Sequence, residues 1–303
     1  MTICITGGSG FVGSALVRTL VSQHIDLEVI TNRKQLNEEI NSQVKLINAN
    51  LLTESGRREA IKLSKADTLV HLAWYAEPIV YTRSPLNLDW LYSSLDLIKL
   101  FKENGGQRLI ILGTGFEYDF SYGGCFSESD QTGPLTFYGQ TKDALRRVAE
   151  GYSALTGLSF LWCRLFWPFG PGEAPDRLLT GLYTLLIDNQ PAVCRAGNLK
   201  RDYIFIEDVA EALSMAIRSK IEGVLNIASG ESVELGYMSR KLAELIDRRD
   251  WLSVGEVPVT KENPLEIKAD TRRLREELGW SPRYSIDRGI ELLARHFLSA
   301  IKS

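Results

Sequence analysis

The feature that most constrains the fold is a glycine-rich turn near the start of the chain, between a short apolar run and an amphipathic helical pattern. Thr2–Thr6 is predicted to be a buried strand, and Gly10–Ser22 is predicted to be a helix. Gly7, Gly10 and Gly13 follow at intervals of three, where larger side chains would keep an anion from the N–H groups of the helix. The pattern predicts that the pyrophosphate of a dinucleotide rests on this turn, with Gly13 allowing tight packing of helix on strand.

Strand and helix patterns alternate through the first half of the chain. Further strands are predicted at 27–31, 44–48, 68–73, 108–112 and 158–163, and further helices at 53–63, 85–104 and 136–155. This alternation predicts an α/β fold with a Rossmann-type, doubly wound parallel sheet. The alternation ends after the turn cluster at 168–172, which indicates a smaller C-terminal substrate-binding lobe.

The same change of pattern predicts the domain boundaries. We assign 1–167 to an NAD(P)-binding Rossmann domain, together with a return segment at about 200–228. That return segment contains the strand-like run Gly223–Ala228. The substrate-binding lobe is expected to comprise 168–199 and 229–303.

Composition argues against several classes of protein. The formal net charge is −3 and the charged residues are interspersed, so nothing indicates a nucleic-acid partner. The four cysteines are widely separated and the three histidines are isolated, so we expect reduced thiols and no metal site. No apolar run approaches 18 residues and the N-terminus has no leader pattern, so we expect a cytoplasmic protein with no membrane partner.

Tyr138 and Lys142 stand four residues apart at the start of the predicted helix at 136–155. Residues at this spacing share one face of a helix. An ammonium beside a phenol favours the phenolate and lowers the phenol pKa from about 10, which suits proton transfer near neutral pH. Two ordinary helix-surface residues are the alternative interpretation, because such pairs also arise by chance.

The ends of the predicted strands should meet the dinucleotide. An NAD site usually has Asp or Glu after the second strand, whereas this chain has Asn32 and Arg33. Arg33 suits the 2′-phosphate of NADP, so NADP is preferred over NAD, although a solvated surface cation is the alternative. The residues predicted to contact the cofactor are Gly7, Gly10, Phe11, Val12, Gly13, Asn32, Arg33, Asn50, Leu51, Leu72, Ala73, Tyr138, Lys142, Leu165 and Phe166.

Several motifs together resemble the extended short-chain dehydrogenases/reductases, the NAD-dependent epimerase/dehydratase family that modifies nucleotide sugars. The matching pieces are Gly7-x-x-Gly10-x-x-Gly13, Tyr138-x-x-x-Lys142, Arg164-Leu165-Phe166, Gly170-Pro171-Gly172-Glu173, residues 201–210 and Leu278-Gly279-Trp280-Ser281-Pro282. The resemblance spans nearly the whole chain. It implies a nucleotide-sugar substrate and a homodimer formed through the helices at 85–104 and 136–155.

The resemblance also implies residue roles. The family carries Ser or Thr at the place of Thr114, whose hydroxyl would orient the reacting oxygen toward Tyr138. Thr114, Tyr138 and Lys142 are therefore the expected catalytic residues. The arginine that matches Arg201 binds the substrate phosphates in the family, with a structural ion pair as the alternative. The residues expected to bind substrate are Thr114, Trp167, Arg177, Arg201 and Lys261.

Three reactions share this machinery in the resembling family. A dehydratase has Asp-Glu after the catalytic threonine, whereas Gly-Phe follows Thr114 and leaves Glu117 as the remaining candidate acid. A 4-epimerase often has Asn where Trp167 stands, and Arg33 favours a reductase that consumes NADPH. The resemblance thus implies reduction of a nucleoside-diphosphate (NDP) 4-keto-6-deoxyhexose in deoxysugar biosynthesis. An NDP-sugar 4-epimerase is the first alternative, and a non-catalytic NADP-binding sensor or scaffold is the second.

Overall fold

The structure is a computed structural model that describes residues 2–32 and 38–300. Its strands are β1 (Ile3–Thr6), β2 (Leu27–Thr31), β3 (Lys45–Asn48), β4 (Thr68–His71), β5 (Arg108–Thr114), β6 (Gly124–Phe126), β7 (Ser159–Leu165), β8 (Trp167–Phe169), β9 (Ala192–Cys194), β10 (Lys200–Arg201), β11 (Tyr203–Phe205), β12 (Gly223–Ile227), β13 (Val233–Glu234), β14 (Leu252–Val254) and β15 (Glu266–Ala269). Its helices are α1 (Phe11–Ser22), α2 (Glu38–Asn41), α3 (Glu54–Leu63), α4 (Leu86–Glu103), α5 (Phe137–Thr156), α6 (Leu178–Ile187), α7 (Ile206–Arg218), α8 (Leu235–Leu245), α9 (Arg272–Glu276) and α10 (Ile286–Ala300). Within the described residues, no helix has the length and apolar character needed to cross a membrane.

Seven strands form one parallel sheet in the order β12-β7-β5-β4-β1-β2-β3. The order reverses at β1, because β2 and β3 extend the sheet on one side while β4 and β5 extend it on the other. At such a reversal the carboxyl ends of neighbouring strands leave a crevice, which is where α/β proteins bind ligands. The doubly wound α/β fold predicted from the alternating pattern is confirmed.

The predicted bounds of these strands and helices agree with the structure to within two residues. β4 is two residues shorter than predicted, because it ends at His71. Beyond that end, the Ala73 N–H donates to the side-chain oxygen of Thr6 at 3.2 Å. β5 and β7 run two residues further than expected, because Thr114 pairs in parallel register with Leu165. A side-chain hydrogen bond therefore takes over where β4 ends, and pairing with a strand distant in sequence extends β5 and β7.

The chain divides into two compact units. The first runs to Tyr118 and also takes in 131–165 and 210–225, and the second takes in 119–130, 166–209 and the chain from Asn226 onward. The sequence-based division had placed 119–130 and 200–209 with the first unit. They lie in the second because β6 and β10 both pair with β15, and β11 pairs with β8.

The second unit contains short strands and the helices α6, α8, α9 and α10. The strands form a four-stranded sheet in the order β13-β10-β15-β6 and two pairs, β11-β8 and β14-β9. Apolar residues of α6, α8 and α10 pack in one core with Phe169 and Phe205. The smaller C-terminal part expected from the sequence is therefore present.

A buried carboxylate joins distant segments of this second unit. Asp202 is fully buried between β10 and β11. Its Oδ1 accepts from the Ser229 N–H at 2.9 Å, and its Oδ2 accepts from the N–H groups of Gly230 and Ala269 at 3.0 Å each. Because buried donors and acceptors are costly when unpaired, this one side chain fixes three backbone segments together.

The connection from β1 to α1 is closely packed. Gly7 has a φ of +73°, and a Cβ atom on it would lie 2.7 Å from the Ala73 nitrogen. A Cβ on Gly13 would lie closer to the Gly7 carbonyl oxygen than real Cβ contacts allow. Gly10 precedes the first helical residues, Phe11 and Val12, and no side chain in the described structure caps this helix. The turn therefore offers the N-terminus of α1 as an anion site.

We expect Gly13→Ala to lower the free energy of unfolding by about 1–3 kcal/mol, because the added methyl group forces the turn backbone to move. Urea unfolding would measure the change. The matched control is Gly151→Ala in α5, where an added Cβ meets no atom within 4 Å. That variant should gain about 0.5–1 kcal/mol, because alanine favours a helix interior. Equal effects of the two substitutions would contradict the packing argument.

Candidate active site

A buried histidine ties the carboxyl ends of β1 and β4 to α4. Thr6 Oγ1 lies 2.7 Å from His71 Nδ1, and His71 Nε2 lies 2.8 Å from Ser94 Oγ. Burial lowers the pKa of His71 to about 3, and the nearby Lys142 acts in the same direction. The imidazole is therefore neutral at physiological pH and serves as a fixed link between these elements.

Residues predicted to contact a dinucleotide gather at this edge of the sheet. Leu72 and Ala73 follow β4 directly, and the backbone of Ala73 lies against Gly7. Asn32 is exposed immediately after β2, whereas Arg33 lies outside the described residues. The structure thus brings the glycine turn to the end of β4. Because the preference for NADP depends on Arg33, that preference stays a prediction.

Asn50 and Leu51 form a turn after β3 that is held by α3 and α4. Leu51 is buried, and its carbonyl oxygen accepts from Arg57 Nη1 at 2.9 Å and from the Ser93 hydroxyl. Arg57 is also buried and donates through Nε to Asp96 at 2.6 Å. Asn50 is exposed beside this anchored backbone. A fixed backbone carrying an exposed amide is compatible with the adenine-facing position predicted for these two residues.

Thr114 lies at the carboxyl end of β5 and caps the short 3-10 turn that follows. Its Oγ1 accepts from the Phe116 N–H at 3.3 Å, and its own N–H donates to Glu117 Oε1 at 2.8 Å. Leu165, the register partner of Thr114, ends β7, and the N–H of the next residue, Phe166, donates to the Ile227 carbonyl oxygen at 3.1 Å. The Thr114 backbone is therefore fixed by Glu117 and by pairing with β7, and this fixes the position of its hydroxyl group.

The carboxylate of Glu117 is fully buried and accepts hydrogen bonds from two β7 side chains. Trp162 Nε1 donates to it at 2.9 Å, and Arg164 Nε donates to Oε2 at 2.9 Å. Burial raises the pKa of Glu117, while the Arg164 guanidinium and these donors oppose the rise. A carboxylate held in this way anchors the segment after Thr114 and does not fit the part of the general acid that a dehydratase would need.

The first turn of α5 packs against that same segment. Thr136 is the N-cap, and its hydroxyl oxygen accepts from the Gly139 N–H at 3.0 Å. A Cβ on Gly139 would collide with the Phe116 carbonyl oxygen, so only glycine allows this approach. The Tyr138 N–H donates to the Thr82 carbonyl oxygen at 3.1 Å, and the Tyr138 and Phe116 ring centroids are 6.3 Å apart. Tyr138 is thereby placed beside the segment that Thr114 begins.

Lys142 is buried one turn later on α5. Its Nζ donates to the Leu112 carbonyl oxygen at 2.9 Å and lies 4.0 Å from the ring centroid of Trp74. Burial lowers the pKa of Lys142 to about 7, and the charge of Glu117 opposes that effect. The structure therefore brings all three predicted catalytic residues, Thr114 among them, to the end of β5 and the start of α5.

In the second unit, two residues predicted to bind substrate lie together. The guanidinium carbon of Arg201 lies over the Trp167 ring, 5.8 Å from its centroid. Trp167 also stacks on Phe120, with ring centroids 5.7 Å apart and planes inclined by 26°. Arg201 Nη1 donates to the carbonyl oxygens of Lys200 and Pro264, at 2.7 and 3.1 Å. The result is a cation on an aromatic stack, an arrangement suited to an anionic or ring-shaped ligand.

The other two predicted substrate residues are placed differently within this unit. Arg177 is the N-cap residue of α6 and lies near Glu173, whose pKa burial raises to about 7 while Arg177 opposes the rise. Lys261 is exposed in the chain between β14 and β15, three residues before Pro264. Arg201 and Trp167 form the cation–π contact described above, and the roles of Arg177 and Lys261 in substrate binding stay predictions.

Two residues of this region were not assigned a site role from the sequence. Trp74 contacts the predicted catalytic lysine, and Glu117 was considered only as a possible acid. The signal for Trp74 was its place just after β4, at the carboxyl edge of the parallel sheet, where ligand-facing residues collect. Among the residues at 2–32 and 38–300, no group of three or more His, Cys, Asp or Glu is arranged to hold a metal ion.

Comparison with known proteins gives one family. The sequence profile of the NAD dependent epimerase/dehydratase family matches residues 3–228 of this chain. The chain is also similar to the dTDP-4-dehydro-6-deoxyglucose reductase of Escherichia coli, with 27% identity over 97% of this chain and 96% of that relative.

Solved structures show the same fold. The UDP-glucose 4-epimerase of Thermotoga maritima with UDP-glucose has a TM-score of 0.89 and 22% identity, covering 99% of this chain and 100% of that one. The UDP-glucose 4-epimerase of Thermus thermophilus with NAD has a TM-score of 0.88 and 23% identity, with the same coverage. At these identities the likeness establishes a shared fold.

We expect Glu117→Ala to lower the free energy of unfolding by about 3–5 kcal/mol, because it leaves the Arg164 guanidinium buried without its carboxylate. Urea unfolding followed by circular dichroism would measure the loss. The control is Glu54→Ala, which breaks the exposed Arg58–Glu54 pair on α3 and should cause no resolvable change. A loss of similar size in both variants would refute the anchoring role.

His71 gives the folded protein a predictable pH dependence. In the unfolded chain a histidine binds a proton below about pH 6.5, whereas buried His71 does so only near pH 3. Its contribution to stability is thus complete above pH 6.5 and declines as the pH falls, by up to about 1.4 kcal/mol per pH unit. Urea unfolding between pH 6.5 and 4 should show a shallower slope in His71→Gln than in the wild type. Parallel slopes would show that His71 binds its proton over the same pH range in the folded protein as in the unfolded chain.

Proposed function

Because the chain belongs to the NAD dependent epimerase/dehydratase family, the extended short-chain dehydrogenases/reductases that modify nucleotide sugars, we propose that it reduces the C4 ketone of an NDP-4-keto-6-deoxyhexose with NADPH. The observation that carries the proposal is the grouping of Thr114, Tyr138 and Lys142 at the end of β5 and the start of α5. These three residue types together can bind a carbonyl oxygen and deliver a proton to it.

The β1–α1 turn fits the cofactor that this reaction needs. Gly7 and Gly13 leave no space for side chains in the turn, and the first turn of α1 carries no acidic residue that would repel a pyrophosphate. Leu72 and Ala73, at the end of β4, and Asn50 with Leu51, after β3, would line the rest of the site. When bound, the reduced nicotinamide supplies the hydride.

The side chains would supply the proton. Tyr138 would donate its phenolic proton to the carbonyl oxygen, which becomes the alcohol oxygen once carbon has accepted the hydride. The Thr114 hydroxyl would hydrogen-bond the same oxygen and orient it toward that phenol. The ammonium form of Lys142, which lies four residues after Tyr138 on one face of α5, would stabilise the resulting phenolate. Solvent would then return the proton to Tyr138.

Reduction is favoured over the other reactions of the family for three reasons. The similar protein of Escherichia coli is named for reduction of a dTDP-4-dehydro-6-deoxyglucose. Glu117 is engaged with Trp162 and Arg164, so the acid that elimination of water would require is lacking at that position. Trp167 stands where family 4-epimerases often carry asparagine. We also propose that Trp167 and Arg201, with Arg177 and Lys261, bind the sugar nucleotide.

The choice of NADP over NAD is part of the proposal. The described end of β2 presents Thr31 and the exposed Asn32, neither of which is the carboxylate that an NAD site usually places at the adenosine ribose. Arg33 follows in the sequence and would pair with a 2′-phosphate. The homodimer and the cytoplasmic location expected from the sequence also stay predictions.

The test is turnover of NADPH with 4-keto-6-deoxyhexoses carried on dTDP, CDP, GDP and UDP, followed by absorbance. At least one substrate should be reduced, and Tyr138→Phe should slow turnover by about 100-fold or more because the proton donor is lost. Tyr122→Phe, at a tyrosine that is 84% exposed, is the matched control and should retain full activity. NADH in place of NADPH tests the cofactor preference.

Two other outcomes would replace the proposal. Interconversion of two NDP-sugars with no net consumption of cofactor would identify a 4-epimerase. Tight NADP binding without any turnover, and a biological activity that Tyr138→Phe leaves intact, would identify a sensor or scaffold.

A further inference from the structure

The indole of Trp74 covers the buried amine of Lys142. The Lys142 Nζ lies 4.0 Å from the centroid of the indole ring, within the range of a cation–π contact. On another side the same nitrogen donates to the Leu112 carbonyl oxygen at 2.9 Å. Lys142 is only 3% exposed, so water contributes little to its solvation and these two contacts matter more than they would at a surface.

The edge of the same indole is hydrogen-bonded to a buried amide. Trp74 Nε1 donates to Asn87 Oδ1 at 2.8 Å, and Asn87 is fully buried near the start of α4. Asn87 Nδ2 donates in turn to the carbonyl oxygens of Tyr81 and Ser84, at 2.6 and 2.9 Å. The orientation of the indole is therefore fixed, and so is the segment from 81 to 84.

That segment contacts the other half of the Tyr138–Lys142 pair. The carbonyl oxygen of Thr82 accepts from the Tyr138 N–H at 3.1 Å. The ring of Tyr81 meets the ring of Tyr138 edge to face, with centroids 4.9 Å apart and planes at 78°. One tryptophan is thus linked to Lys142 through its π face and to Tyr138 through Asn87 and the 81–84 segment.

We propose that Trp74 is a positioning residue that keeps the Lys142 amine protonated and thereby sets the upper pH limit of proton transfer by Tyr138, a role that rests on the proposed function. Burial favours the neutral amine, whereas the negative face of an aromatic ring favours the ammonium. Removal of the ring leaves the burial in place and takes away one of the contacts that favour the ammonium, while the Leu112 carbonyl oxygen remains, so Lys142 loses its proton at a lower pH.

The titratable groups around Lys142 do not by themselves determine its protonation, so a contact with Trp74 can contribute to it. Glu117, on the segment after β5, favours the ammonium, but its carboxylate also faces the Arg164 guanidinium. His71, at the end of β4, disfavours the ammonium only when charged, and burial keeps its pKa near 3. Tyr138 lies one turn earlier on α5 itself and stabilises the ammonium only as phenolate. Trp74 is not titratable, and it contacts Nζ directly together with the Leu112 carbonyl oxygen.

The first experiment needs no substrate. NMR of the full chain carrying ¹³C-labelled lysine follows the Lys142 side chain from pH 5 to 10, with Lys142→Arg identifying its signal. In Trp74→Leu the titration midpoint should fall by about one pH unit, whereas Trp74→Phe, which keeps an aromatic face, should show a much smaller shift. Trp90→Leu is the matched control, because Trp90 packs on the same core 6.3 Å from Trp74 and should leave the midpoint unchanged.

A second measurement covers the case in which Trp74→Leu does not fold. Growth with 5-fluorotryptophan weakens the π face of every indole without changing the residue at any position. The Lys142 midpoint of the fluorinated wild-type chain should fall, by less than in Trp74→Leu. An unchanged midpoint in the fluorinated chain, or equal shifts in Trp74→Leu and Trp90→Leu, would overturn the proposal.

The pH profile of turnover then separates this role from the proposed function. In Trp74→Leu the alkaline limb of kcat/KM for NADPH oxidation should move to lower pH by the shift that NMR records, whereas in Trp90→Leu the limb should stay at its wild-type pH. A shifted midpoint in a chain that reduces no sugar nucleotide would reject the proposed reaction and retain the role of Trp74. Full turnover with an unmoved alkaline limb would retain the reaction and reject the role.

Discussion

The buried carboxylate of Glu117 is the interaction on which the candidate site depends. It accepts from the backbone N–H of Thr114 at the end of β5 and from two side chains of β7, so one side chain fixes the ends of both strands. Gly113 makes this possible, because a Cβ there would collide with the Trp162 indole and the carboxylate itself. The start of α5 packs on the segment after Thr114, so its position also depends on the hydrogen bonds of Glu117. One buried carboxyl group thus helps to fix the segments that carry the residues to which we assign proton transfer.

The sequence was sufficient for those parts of the site that the chain encodes locally. The glycines of the first turn and the four-residue spacing of Tyr138 and Lys142 are visible in a short window, and the strand–helix alternation places both at the carboxyl edge of the sheet. The role of Glu117 was not visible, because its donors Trp162 and Arg164 are 45 and 47 residues away in the sequence. No periodic pattern reports a side-chain contact at that distance, and the same reason hid the contact between Trp74 and Lys142.

The second unit was predicted less well because its strands are short and pair across long stretches of sequence. β6, β8 and β10 have two or three residues each, too few to show an alternating pattern. β6 pairs with β15, which lies in the last fifth of the chain, and so the segment 119–130 belongs with residues that follow it by more than a hundred positions. The predicted boundary lies where the alternation stops, so it assigns 119–130 to the same unit as its sequence neighbours. In the structure, strand pairing assigns this segment to the other unit.

The donors to Asp202 have a consequence for how this chain can mature on the ribosome. Two of them, Ser229 and Gly230, emerge soon after the carboxylate, but the third, Ala269, is 67 residues further along. Until that stretch has left the exit tunnel, burying Asp202 would strand a charged oxygen away from water, so its surroundings must stay hydrated. The glycine turn and the first strands need no such wait. The surroundings of Asp202 can therefore reach their final packing only after Ala269 has been synthesised and has left the tunnel.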